Sequence, residues 1–278
     1  FCSEMGFRCT NMAMQVMGGE GYMTENELER LWRDSRINTI VEGANEVMHA
    51  FVFAYGSKQL GEHMLAIRAA PYKKPVIALK LAAELFLGIR PSAPKINGLD
   101  SSLREHAQAI ESMTSELSYQ VKRMFKVHEE GLITNQMVQR RLSTMVIWVH
   151  AMTCCLSRLD QSIRNGIDDQ QLKHDRALVD HLCAMGRESF EGCIRSLDRN
   201  TDTTMRAAAD AAWSTLGSLP YSDYSIPEKT PVESALGQGR VTDQTYIKQF
   251  GHGSIAERIE EGLGAEVAEA MKMEKDLA

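Results

Sequence analysis

Glu42 is the carboxylate in this chain best placed for acid–base chemistry. It follows the apolar run Ile37 to Val41 and precedes Gly43. Burial at the end of such a run disfavours the charged form and raises the pKa toward the range useful for proton abstraction. The same position also reads as an exposed acid near a helix N-terminus, stabilised by the helix dipole. The residues alone leave both readings open. Upstream, Gly18, Gly19 and Gly21 form a G-G-x-G turn directly after a helical pattern. Missing side chains there let a ligand or a second backbone approach the main chain closely, although a plain helix C-cap uses glycine in the same way. The turn does not follow a strand and open a helix, which excludes a Rossmann dinucleotide loop.

Other reactive residue types read as structural. Arg33, Asp34 and Arg36 are expected to form an ion-pair cluster that orders the loop before Glu42. The six cysteines show no C-x-x-C pair and read as small buried hydrophobes in a reducing compartment. The eight histidines show no H-x-x-x-H or H-x-x-E grouping, so no metal is expected. His128 reads as a core or interface residue. A net charge of -6 supplies no overall basic field for nucleic acid. There is no secretory signal and no uninterrupted apolar run of spanning length, so no membrane span is expected.

The elements that must position these residues are helical, and the predicted class is all-α. The 278 residues suffice for one large or two modest domains. The chain opens on Phe1 within an amphipathic pattern of Phe1, Met5, Met12 and Val16, which reads as part of a longer protein. A short helix is expected over Glu25 to Ser35, acidic early and basic late as the macrodipole prefers. An extended stretch follows over the β-branched Ile37 to Val41, then a helix from about Gly43 to Gly56. Further on, Leu103, Ala107, Ile110, Thr114, Leu117, Val121, Met124 and His128 make one stripe at helical spacing. Met137, Leu142, Met145, Val149, Met152, Leu156, Leu159 and Ile163 make a second, ended by Asn165 and Gly166. Leu178, Leu182, Met185, Ser189, Ile194 and Leu197 make a weaker third. The short Glu129 to Thr134 turn predicts that the first two pack antiparallel and, with the third, form a bundle. The methionines in these stripes read as core. Beyond Trp213 the pattern gives way to Gly, Pro, Ser and Thr, with a last charged helix expected over 254–275.

Residues 68–100 stand apart. Pro71, Pro75, Pro91 and Pro94 bracket Val76 to Leu87, a piece apolar nearly all round but too short to span a bilayer. From Arg68 to Lys95, six basic residues face the single acid Glu84, a net +5 in an acidic chain. An apolar helix flanked by cations suits an anionic membrane interface. A helix docked on its own bundle or on a dimer partner fits the composition equally well.

The ordered pattern Q-V-x-G-G-x-G-Y from Gln15, E-R-L-W-R-D-x-R-I from Glu29 and E-G-x-N-E from Glu42 resembles the carboxyl-terminal domain of the acyl-CoA dehydrogenases over roughly residues 1–60. Residues 121–197, including Lys126 to Gly131 and Arg141-Leu142, are similar to the additional helical region of the very-long-chain members. Together with the proline and charge pattern, this gives expected domains at 1–67 (part of the catalytic helical domain), 68–100 (basic connector), 101–217 (additional bundle) and 218–278 (tail). The resemblance implies that Glu42 is the base removing the α-proton of an acyl-CoA thioester. Glu42 and Gly43 would then contact substrate, with the β-hydrogen leaving as hydride to FAD. Gln15, Val16, Met17, Gly18 and Gly19 match the segment approaching the FAD of the neighbouring subunit, and Ala44, Asn45 and Glu46 match the loop touching FAD after the base. The family usually has Thr at the position of Ala44, which removes one hydroxyl from that contact.

The implied partners are an electron-transfer flavoprotein, a second copy in a homodimer and a membrane met peripherally through 68–95. The implied location is the mitochondrial matrix or inner membrane in a eukaryote, and the cytoplasm or inner membrane in a bacterium. The expected function is α,β-dehydrogenation of long-chain acyl-CoA in fatty-acid β-oxidation, the fragment alone being inactive. Two alternatives remain: an acyl-CoA oxidase, and a helical membrane-docking or assembly module with the dehydrogenase portion secondary.

Overall fold

The computed structural model describes residues 1–216. Among these there is no strand, and nine α-helices follow one another, so the all-α class holds. The expected helix over 254–275 lies outside the described residues.

The first three helices are α1 (Cys2–Met17), α2 (Gly19–Tyr22) and α3 (Glu27–Ile37). Gly18 ends α1 at φ 61°, a left-handed conformation that favours glycine. Asn26 opens α3 by accepting a hydrogen bond from the Leu28 amide at 2.9 Å. Helix α3 is tied to α1 by the packed Phe7 and Trp32 rings, 5.9 Å apart. Trp32 also donates to Asn11 at 3.0 Å, and Thr10 and Ser35 share a hydrogen bond of 2.8 Å.

Helix α4 (Asn45–Ala69) runs well past the expected end at Gly56. Its later turns pack on the bundle. A Cβ on Gly61 would sit 3.2 Å from the Phe125 ring, and Phe53 stacks on the same ring at 6.2 Å. Contact with Phe125 overrides the helix-breaking tendency of Gly61. Helix α5 (Pro75–Leu87) follows, with proline in its first turn and Gly88 closing it at φ 69°.

The three long helices α6 (Arg104–His128), α7 (Gln136–Arg164) and α8 (Asp169–Asp198) are the ones the apolar stripes predict. Asn135 caps α7 and Asp168 caps α8 through side-chain oxygens. Asp160 near the end of α7 accepts the Asp100 amide just before α6, so α6 and α7 run antiparallel as expected. Helix α8 runs parallel to α6, because His106 meets Asp180 at 2.7 Å and Arg123 meets Asp198 at 2.6 Å.

Helix α7 is the central element, and Leu142, Met145, Met152, Leu156 and Leu159 are each at most 2% exposed. The methionine stripes are core. By length and composition alone α7 is apolar enough to cross a bilayer, with mean hydropathy 1.3. Its apolar face is instead occupied by α4, α6 and α8. On α8, Gly186 allows close approach to Met152 and Trp148.

The chain divides into two compact units after Asp202. Helix α9 (Asp202–Leu216) begins at that boundary, with the Asn200 side chain accepting the Asp202 amide at 3.2 Å.

Candidate active-site loop

Residues 38–44 join α3 to α4 and carry Glu42. The expectation of an extended stretch over Ile37 to Val41 is overturned. The Thr39 amide bonds to the Arg36 carbonyl, and those of Ile40 and Val41 bond to the Ile37 carbonyl at 2.9 and 3.0 Å. Consecutive turns thus carry the rotation of α3 onward, which satisfies backbone groups that a lone extended segment would leave unpaired. Ile40 and Val41 are about half exposed, and Glu42 stands in solvent. These residues therefore do not themselves desolvate Glu42.

The backbone around Glu42 is unusual. Its φ is 56°, a left-handed conformation few non-glycine residues adopt. Gly43 follows at φ 101°, where a Cβ would lie 3.0 Å from Met48 Sδ. Ala44 is the N-cap residue of α4 and supplies no capping side chain. Thr39, only 7% exposed, anchors the loop. Its hydroxyl donates to the Arg36 carbonyl at 2.9 Å and accepts from the Arg36 guanidinium, while its carbonyl accepts the Asn45 amide at 3.1 Å.

Asn45 crosses to α1. Its side-chain oxygen accepts from the Ser3 hydroxyl at 2.9 Å, and its NH2 donates to Glu4 at 2.9 Å. Glu46 is exposed in the first turn of α4.

The expected Arg33, Asp34 and Arg36 cluster takes a different form. Arg33 pairs with Glu29 at 3.3 Å, one turn back on α3. Arg36 lies over the Phe7 ring at 5.5 Å and serves Thr39. Asp34 joins neither contact. Arginine does order the loop, but through a buried threonine and an aromatic ring. Sequence reasoning missed Ser3, Glu4, Phe7 and Thr39: no local pattern marks Ser3 and Glu4 as partners of Asn45 some forty residues on or Phe7 as a partner of Arg36, and none shows that Thr39 is buried.

Gln15, Val16, Met17, Gly18 and Gly19 form a separate exposed patch, with Val16 87% exposed. A Cβ on Gly18 or Gly19 would meet nothing within 4 Å, so the main chain is open to a large ligand. At 1.5 Å per residue along α1, this patch lies roughly 20 Å from the Ser3–Glu4 end that touches Asn45. The two groups of candidate residues are thus held at opposite ends of one helix. No group of three His, Cys, Asp or Glu residues able to hold a metal occurs among the described residues.

Comparisons with known proteins define the class. The family model for the acyl-CoA dehydrogenase C-terminal domain matches residues 1–54. The model for the ACAD9/ACADV C-terminal domain matches residues 101–216. The chain belongs to the acyl-CoA dehydrogenase family, of which it carries a carboxyl-terminal portion.

Among relatives, it is 31% identical over 193 residues to the mitochondrial very long-chain specific acyl-CoA dehydrogenase of Mus musculus, covering 66% of this chain and 28% of that protein. The Homo sapiens counterpart is 30% identical over 191 residues, covering 66% of this chain and 28% of its own length. The chain thus spans under a third of these relatives. A crystal structure of an acyl-CoA dehydrogenase complexed with FAD from Bacillus anthracis shares the fold, with a TM-score of 0.51 at 21% identity. The match covers 86% of this chain and 39% of that one.

Proposed function

We propose that the protein to which this chain belongs dehydrogenates long-chain acyl-CoA to trans-2-enoyl-CoA, with Glu42 as the base. The observation that carries this is Glu42 itself. It is a carboxylate in a strained backbone conformation at the apex of a loop fastened at both ends, within the residues the family model matches. Strain of this kind persists where the surroundings over-determine it, and it concentrates at functional sites.

Glu42 takes the α-proton into its carboxylate as the α C–H bond breaks. The backbone N–H groups at Glu42 and Gly43 are the donors available to the thioester carbonyl, where negative charge develops. FAD, when bound, supplies the acceptor for the β-hydride. Open main chain at Gly18 and Gly19 suits a large planar or phosphorylated group, and Gln15 to Gly19 would hold the partner subunit's FAD. Ala44, Asn45 and Glu46 would line the flavin side of the base loop. This assignment requires a homodimer, with an electron-transfer flavoprotein taking the electrons onward in β-oxidation. The naming of the relatives supports a mitochondrial setting.

A Glu42→Gln variant of the flavin-loaded protein, assayed with a long-chain acyl-CoA and an artificial electron acceptor, should lose at least ~100-fold in kcat. Stoichiometric hydrogen peroxide from the unmodified protein would instead favour the oxidase alternative.

A second reading, peripheral membrane contact through 68–95, is favoured by α5. Tyr72, Val76, Leu79, Phe86 and Leu87 are 72–78% exposed, and Lys73, Lys74 and Lys80 are exposed beside them. Glu84, the lone acid, turns inward to Lys122 at 2.6 Å and is 4% exposed. The outward surface is therefore apolar and cationic, as an anionic bilayer surface requires. Co-sedimentation of the whole protein with anionic vesicles should fall when Lys73, Lys74 and Lys80 are changed to Gln. Equal sedimentation of both forms would remove the membrane reading.

A further inference from the structure

We infer that Asn45 and Thr39 are positioning residues that mount the Glu42 loop on α1 and α3. The inference rests on Glu42 being the base, and it deepens that reading by saying what holds the base in place.

Asn45 uses three polar groups within the chain. Its amide N–H donates to the Thr39 carbonyl at 3.1 Å, its Oδ1 accepts from the Ser3 hydroxyl at 2.9 Å, and its Nδ2 donates to Glu4 at 2.9 Å. Residues 40–44 are bracketed by the first of these bonds, so the loop cannot swing without breaking it. Thr39 is buried and joined to Arg36 through its hydroxyl, and Arg36 in turn lies over Phe7 of α1. Both ends of the loop are thereby referred to α1.

Glu42 needs such support. Its φ of 56° is disfavoured for a residue with a Cβ and is kept only where neighbouring contacts enforce it. A base must also meet the α C–H bond closely, and a displacement of about 1 Å can cost as much as about a hundredfold in rate. The occupied Asn45 side chain has a further consequence. Its family-implied flavin contact would fall to the backbone, while its amide group serves the α1 junction.

The test uses the flavin-loaded protein carrying this sequence. Asn45→Ala, and separately the pair Ser3→Ala with Glu4→Ala, should each lower kcat about tenfold with KM changed by less than about twofold and flavin content retained. All three changes together should lower kcat no further, because they remove one shared interaction. Thr39→Val should show the same loss and Thr39→Ser should recover it. In deuterium exchange, amides 40–45 should exchange faster in each impaired variant while those of α6, α7 and α8 stay protected.

Loss of flavin in Asn45→Ala, together with unchanged kcat and loop exchange in the Ser3→Ala and Glu4→Ala pair, would overturn the proposal in favour of direct flavin contact. Faster loop exchange with unchanged kcat would also overturn it. Full kcat in Glu42→Gln would defeat the underlying assignment of the base, and the exchange rates would still report separately whether the loop is clamped.

Discussion

The loop around Glu42 depends on backbone conformations that side chains normally forbid. Gly43 is the position where this can be tested without touching a charged group. At φ 101°, with Met48 Sδ 3.0 Å from where a Cβ would lie, Gly43→Ala should destabilise the protein by about 1–3 kcal/mol, read as a fall in thermal midpoint. Adding Met48→Ala removes the steric contact but leaves the strained φ, so it should recover only part of the loss. Full recovery would assign the whole penalty to crowding. At this scale, sequence legibility was limited. Glu42 and Gly43 stand out as a carboxylate beside a glycine, but Thr39 and Ser3 are ordinary polar residues whose importance arises only when α1, α3 and α4 meet. The β-branched residues of Ile37 to Val41 suggest an extended stretch, whereas hydrogen bonding back to Arg36 and Ile37 curls it into turns.

Individual helices were far more legible, and for a physical reason. The apolar stripes of α6, α7 and α8 repeat over many turns, so their faces are fixed by periodicity, and Asn165 with Gly166 marks the end of α7. Helix α4 continues past the expected end at Gly56, and packing against Phe125 makes Gly61 an advantage within it. Leu142, 1% exposed in the second turn of α7, should cost ~2–5 kcal/mol as Leu142→Ala. Leu178→Ala, on a residue 71% exposed, should change stability by less than ~0.5 kcal/mol.

The bundle also holds carboxylates at its joints. The Lys95 ammonium and the Ile96 amide keep the Glu111 carboxyl below the usual carboxylate range. The Arg164 guanidinium and the Asp100 amide do the same for Asp160. Because each folded pKa lies below its unfolded value, the unfolded chain binds more protons as pH falls. The stability these groups contribute is therefore present above the ordinary carboxylate pKa of ~4 and lost as pH drops through the lower folded value. Thermal midpoints should fall from pH 6 to pH 3, and less steeply in a Glu111→Gln, Asp160→Asn variant. An identical slope in the variant would show that other groups govern acid unfolding.

Across the whole molecule, the first sixty residues and the long bundle do different things. The long helices α6, α7 and α8, joined by Phe53 of α4, form a core centred on α7. The first sixty residues instead leave Val16, Tyr22, Ile40, Val41 and Tyr55 between 45% and 87% exposed. That pattern supports a site completed by the flavin, the acyl chain and further protein, in keeping with a chain that spans under a third of its relatives. The central claim is that Glu42 removes the α-proton, and proton exchange tests it most directly. The flavin-loaded protein, incubated in D2O with a saturated long-chain acyl-CoA, should incorporate deuterium at the α-carbon as Glu42 returns solvent deuterons. Glu42→Gln should bind the same acyl-CoA and incorporate none above the uncatalysed rate, whereas undiminished incorporation in that variant would contradict the account.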